Sequence, residues 1–261
     1  GLTSVTATIA KLLDQKEDTV RQRLREWYQA AQDKKGAQGK EHQRQEIDVT
    51  TCFPALVRWV LKTWPATERR LALAIDATTL ASRFTVLAIS IVYRGCAIPV
   101  AWVILPATQP GAWKPHWLAL FKLLQASLPA DWIVIVLADR GLYAKWLYRA
   151  IMQLGWHPYL RINSGGKYRL APTSAFRPLA DLVPQAGDVW SGVVECFKSN
   201  PLACTLLARR DTVHTDPWLI VTDLPPAQAD VCWYALRAWI ESDFKDTKRG
   251  GWQWQHTQIT D

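Results

Sequence analysis

Apolar positions recur at helical spacing at the start of the chain, then in runs that suit strands. Ile9, Leu12 and Leu13 fall on one helical face, and Val20, Leu24 and Trp27 on another, with polar residues 14–18 between them. Thr19 is placed to cap the second helix. Residues 33–46 are polar and carry Gly36 and Gly39, the pattern of a linker. A helix is expected over Phe53 to Thr63, stopped by Pro65. Leu71 to Ile75 reads as a buried strand ending at Asp76, Phe84 to Tyr93 as a second, and Ala97 to Leu105 as a third, with Arg94-Gly95 as a turn.

Beyond this meander the period changes. Trp113 to Leu128 predicts an amphipathic helix. Trp132 to Leu137 is too uniformly apolar for a one-sided strand, so it reads as central, and it runs into Asp139. A helix over Leu142 to Leu154 and a short strand over Pro158 to Ile162 follow. Residues 167–222 hold short β-like runs, among them Val189 to Phe197, Cys204 to Arg209 and Trp218 to Thr222, broken by Gly, Pro and Asn. After Pro225-Pro226 a long helix is expected from Ala227 to Lys245. Three meander strands followed by helix, strand, helix, strand is the order of a ribonuclease-H-like fold. The predicted class is therefore α/β, with a β-rich insertion and an N-terminal helical region. The expected divisions are residues 1–66, 67–166, 167–224 and 225–261.

Composition narrows the picture. Hydrophobic residues make up 49% of the 261, enough for a large core. No apolar run reaches the roughly 18 residues that span a bilayer. The five cysteines are odd in number and show no CxxC spacing, which argues against a disulfide framework or zinc site and for reduced, mostly buried thiols in the cytoplasm. Most of the 15 tryptophans are expected in the core, with a few as stacking surfaces. A net charge of +8 favours a polyanionic partner. In that light the two N-terminal helices, the second carrying Arg21, Arg23 and Arg25, fit a DNA-binding helix-turn-helix. They fit an ordinary amphipathic pair with a solvated basic face equally well.

The acidic residues suggest chemistry. Phosphodiester cleavage needs an activated nucleophile and relief for a charged leaving oxygen, and two divalent metal ions held by carboxylates supply both. Magnesium takes hard oxygen ligands, and manganese can substitute for it. Asp76 and Asp139 each follow an apolar strand, where an acid can also serve only to cap a turn. Tyr234, Arg237, Glu241 and Lys248 form a Y-x2-R-x3-E-x6-K pattern close to one helical stripe. Phenol, guanidinium, carboxylate and ammonium make a poor core face but suit a metal ligand among phosphate-binding donors. A solvated face with an Arg237–Glu241 pair is the simpler alternative.

This spacing, with Ile75-Asp76-Ala77-Thr78-Thr79 and Ala138-Asp139-Arg140-Gly141 upstream, resembles the YREK signature of the insertion-sequence-four family of DDE transposases. The resemblance covers roughly residues 71–261. It implies that Asp76, Asp139 and Glu241 hold two Mg²⁺ ions and that Tyr234, Arg237 and Lys248 grip phosphates. It implies a cut-and-paste reaction on double-stranded DNA with terminal inverted repeats, transfer to target DNA, and a homodimer in the synaptic complex of a bacterial, nucleoid-associated enzyme. Trp218-Leu219-Ile220-Val221-Thr222 resembles the family strand whose tryptophan stacks on a flipped base, which makes Trp218 a candidate for that contact or else a core residue. Family members continue with apolar helices past the point where this sequence stops. That difference leaves a DNA-binding remnant without catalysis, or another ribonuclease-H-like nuclease, as alternatives.

Overall fold

The computed structural model describes residues 2–27, 48–80, 83–108, 113–212 and 216–250. The linker expected at 33–46 lies outside them. Helices α1 (Leu2–Leu13) and α2 (Glu17–Trp27) pack on each other. Among the described side chains of the pair, Thr6, Ala10 and Val20 are buried. The small residues Thr6 and Ala10, four apart, give α1 its contact stripe, and Leu12 and Leu13 remain 78% and 58% exposed, against the sequence reading. Thr19 is not the cap either. The helix already begins at Glu17, with Glu17 and Asp18 in its first turn where the helix dipole favours acids.

The rest is built on one ten-stranded mixed sheet in the order β3-β2-β1-β4-β5-β10-β9-β8-β6-β7. Strands β1 (Arg70–Leu80), β2 (Phe84–Tyr93) and β3 (Cys96–Pro106) form the expected antiparallel meander. Helix α4 (Trp113–Gln125) leads to β4 (Ile133–Ala138), and α5 (Lys145–Gln153) to β5 (His157–Arg161). β4 and β5 join β1 in parallel. The β-rich stretch then continues the same sheet. β10 (Trp218–Thr222) pairs with β5, and β9 (Leu202–Arg209), β8 (Val189–Cys196), β6 (Lys167–Arg169) and β7 (Arg177–Pro178) extend it outward, all antiparallel.

Strand parity sorts the core into two layers. Leu71, Leu73 and Ile75 of β1 and Val134 and Val136 of β4 point to the face covered by α3 (Phe53–Leu61), α4 and α5, through Val57, Trp117 and Leu147. Ala72 and Ala74 of β1 and Ile135 and Leu137 of β4 point to the other face, covered by the C-terminal segment through Val231, Tyr234 and Ile240. Asp76 and Thr78 share the parity of Ala72 and Ala74, and Asp139 that of Ile135 and Leu137. Two neighbouring strands thus aim their acids at the C-terminal segment. Leu73 is fully buried in the strand that carries Asp76. We expect Leu73→Ala to cost about 2–5 kcal/mol of stability, read as a lower urea midpoint.

The expected long helix at the C-terminus is a correction. Pro226–Gln228 forms a separate turn, and Ala229 and Asp230 are extended. Asp230 accepts a bond from the Cys232 N–H at 2.8 Å and so starts a 3₁₀ helix at Val231–Arg237. Only then follows α6 (Ala238–Lys245), closing in a π-helical turn at Asp246–Gly250. The thiols also depart from expectation. Cys196 and Cys204 are buried, but Cys52, Cys96 and Cys232 are exposed; all five are free. Among the described residues no helix is long and apolar enough to cross a membrane.

Candidate active site

The site begins where the parallel part of the sheet ends. β1 runs four residues past Asp76 because β2 pairs with it up to Leu80↔Phe84. The β1–β4 pairing stops at Ala74↔Leu137. Continued by two residues, that register brings Asp76 level with Asp139, on strands roughly 4.8 Å apart. Asp76 therefore lies inside its strand rather than at its end, beside the gap left where β4 stops. The carboxyl ends of parallel strands are where such sheets place ligands.

Asp139 does two things. Its Oδ1 accepts bonds from the N–H groups of Gly141 at 2.9 Å and Leu142 at 3.1 Å, fixing the turn after β4. Its Oδ2 faces Arg237 Nη2 at 3.7 Å. One carboxylate oxygen thus caps the turn and the other faces the guanidinium. Gly141 is part of this arrangement, because a Cβ there would lie 3.2 Å from Asp139 Oδ1. Arg140 turns away and pairs with Asp216 at 2.9 Å, both exposed, a contact of small energetic weight.

The C-terminal segment supplies the rest. In a 3₁₀ helix residues three apart eclipse, so Tyr234 and Arg237 share a face. The α-helical turn that follows carries Glu241 onto the same side. The Arg237 guanidinium lies at the centre: Nη2 donates to Asp76 Oδ2 at 3.1 Å and approaches Asp139, while Nη1 donates to Glu241. Its side chain is 11% exposed and that of Asp76 15%, whereas Glu241 is open at 59%. Farther along, Lys248 Nζ donates to Thr78 Oγ1, two residues beyond Asp76 on the same face of β1.

Burial pushes the Asp76 carboxyl up to about 6, although Arg237 and the Ala77 N–H pull the other way; Asp139 and Glu241 add repulsion. Burial disfavours the Arg237 cation, but Glu241 and Asp76 outweigh it and hold the guanidinium above its ordinary range. Burial likewise pushes the Tyr234 phenol up to about 12. That hydroxyl is buried with no hydrogen-bond partner, and the ring meets Trp218 edge-on at 5.4 Å. Trp218 is half-buried on β10.

Among the described residues no group of three or more His, Cys, Asp or Glu stands in metal-holding geometry as placed. The donor set nevertheless suits a hard divalent cation. Three carboxylates converge on a single guanidinium, so a cation already sits at their meeting point and the cluster remains short of positive charge. Of the sequence-selected residues, Asp76, Asp139, Tyr234, Arg237 and Glu241 come together, with Lys248 and Trp218 beside them. The bonds of Arg21 and Arg23 stay within the helical pair, to Asp18 at 3.4 Å and Gln15 at 2.8 Å, and Arg25 is exposed. Thr78 was not singled out in the sequence; it lies two residues beyond Asp76, the offset that strand parity requires for the same face.

Among solved structures, the chain is similar to the piggyBac transposase in its synaptic complex with hairpin DNA, at 13% identity and a TM-score of 0.44. The match covers 70% of this chain and 43% of that one, so the chain spans less than half the length of its structural relative. No curated protein matches it. The family model for the transposase DDE domain matches residues 68–261, which takes in every residue gathered at the site. The chain belongs to the DDE transposase domain family.

Proposed function

We propose that this chain is the ribonuclease-H-like catalytic core of a cut-and-paste transposase, with Asp76, Asp139 and Glu241 as the carboxylates of a two-metal centre. The observation that carries the reading is the convergence of these three acids, from two neighbouring strands and a distant helix, on the Arg237 guanidinium. When bound, Mg²⁺ or Mn²⁺ would activate the attacking oxygen and stabilise the leaving one. Asp76 sits within β1 and Asp139 directly after β4, and together they define the place. Glu241 is the most exposed of the three and is held by Arg237. Arg237 holds the carboxylates together until a cation or a phosphate competes for them, and then offers its fork to the phosphate.

The remaining residues on this face position DNA. Tyr234 and Lys248 are the proposed phosphate contacts, with Arg237. Trp218, beside Tyr234, is the proposed stacking surface for an unpaired base, a contact worth about 1–3 kcal/mol. Arg21, Arg23 and Arg25 of α2 are proposed to contact phosphates outside the catalytic face. The partners are double-stranded transposon ends with inverted repeats and a target duplex, joined in a homodimeric synaptic complex.

The test is divalent-metal-dependent nicking of a duplex that carries the ends of the element encoding this chain. Cleavage with Mg²⁺ or Mn²⁺ and none in EDTA is expected; cleavage indifferent to EDTA would remove the two-metal reading. A second test isolates Tyr234. An unpartnered buried hydroxyl stabilises nothing, so Tyr234→Phe should leave the melting temperature unchanged or raise it. If the hydroxyl meets a phosphate, the same change should weaken end binding by about 10- to 100-fold, the worth of a hydrogen bond to a charged group. Unchanged affinity would return Tyr234 to a packing role.

A further inference from the structure

A separate, cationic site opens beyond the Asp139 turn. A cavity of about 440 Å³ is lined by Lys145, Lys167 and Lys198, with Tyr143 and Phe197 among its walls. The two rings stack at 5.4 Å, and Lys145 Nζ sits 5.3 Å from the Phe197 centroid while donating to the Ser199 carbonyl at 3.3 Å. Among the described residues none of the three lysines forms an ion pair with a carboxylate. At Gly165 a side chain would meet nothing within 4 Å, so this part of the wall is bare backbone facing open space. Helix α5 begins here at Lys145, and its N-cap Ala144 provides no side-chain acceptor for the first N–H groups. Burial and Arg149 hold the Lys145 ammonium below the usual lysine range, as expected of a cation without a counter-charge.

We propose that this cavity binds the phosphodiester backbone of the DNA strand a few nucleotides from the scissile phosphate. The ligand chemistry follows from the lining: three ammonium groups recognise phosphate oxygens and read no base edges. The distance follows from the chain. Tyr143 is four residues after Asp139, at most about 14 Å away even if extended. One strand of a duplex rises about 3.4 Å per phosphate, so the reach is about four nucleotides. The assignment rests on the nuclease reading of Asp139, and it adds a grip independent of sequence.

The test uses the full chain, a linear duplex and metal-free buffer. Lysines are acylated with an activated ester, with and without the duplex, and read by mass spectrometry. Lys145, Lys167 and Lys198 are expected to be protected, and exposed Lys122 not. Inorganic phosphate at equal ionic strength is expected to give no protection; protection by phosphate but not by the duplex would overturn the assignment to DNA. In parallel, Lys167→Ala with Lys198→Ala is expected to reduce the salt slope of DNA binding by about two, and the equal-charge change Lys62→Ala with Lys122→Ala to leave it unchanged. Both double variants are surface changes, checked by equal melting temperatures. If the wild type binds the duplex but the three lysines stay reactive and the slope does not move, this inference fails and the nuclease reading stands. If the wild type binds no DNA, both fall.

Discussion

Replacing Asp139 by asparagine is expected to lower DNA strand cleavage by at least about 10³-fold while leaving DNA-end binding within a few-fold of wild type. A metal-bound transition state is stabilised by several kcal/mol, and about 4 kcal/mol corresponds to three decades of rate. Asparagine keeps the oxygen that accepts from Gly141 and Leu142, so the turn after β4 is preserved. What it loses is the charge at Oδ2, the oxygen that faces Arg237. Asp139→Ala should add a stability loss of about 1–3 kcal/mol, because two turn N–H groups lose their acceptor. Cleavage and gel-shift assays with a melting curve separate these effects. Cleavage within tenfold of wild type in Asp139→Asn would confine Asp139 to the turn. Equal loss of binding and cleavage would make its role structural.

Replacing Arg237 by alanine should have the largest effect on stability. The guanidinium is the only cation that bonds both Asp76 and Glu241 among the described residues, and it is nearly buried. Removing one partner of a buried charge pair typically costs about 3–5 kcal/mol, because the other charge is left behind. Here three carboxylates remain. The variant should therefore melt well below wild type in EDTA. A divalent cation that binds the same carboxylates should recover much of the loss, since a ligand stabilises the state it binds. Wild type should gain less from the metal, because its own cation already occupies the meeting point. Thermal unfolding of both proteins with EDTA and with Mn²⁺ checks this. Equal metal stabilisation of both would mean that Arg237 and the metal do not share a place.

The central elements were legible because their periods are strong. The run from Trp132 to Leu137 is too uniformly apolar for a one-sided strand, and the observed central strand, Ile133–Ala138, lies one residue along. That Asp76 and Asp139 each follow an apolar strand was legible; their common face needed the observed register. The C-terminal segment misled, because Ala, Leu and Trp have helix propensity and nothing in composition separates 3₁₀ from α winding. The local bond from the Asp230 side chain set the start instead. That β6–β10 extend the main sheet was not legible, since pairing between distant strands is fixed by tertiary contact. The exposure of Cys52, Cys96 and Cys232 was hidden for the same reason. The role of Arg237 was half visible. Its spacing to Glu241 is written in the sequence, but its reach to Asp76 depends on which face of the sheet the segment covers.

The most direct test of the carboxylate centre is anomalous scattering from manganese in crystals of this chain bound to a DNA end. Two manganese peaks are expected among Asp76, Asp139 and Glu241, with the Arg237 guanidinium displaced toward a phosphate. Well-diffracting, DNA-bound crystals with manganese bound elsewhere and Arg237 still bridging the three carboxylates would contradict the two-metal assignment.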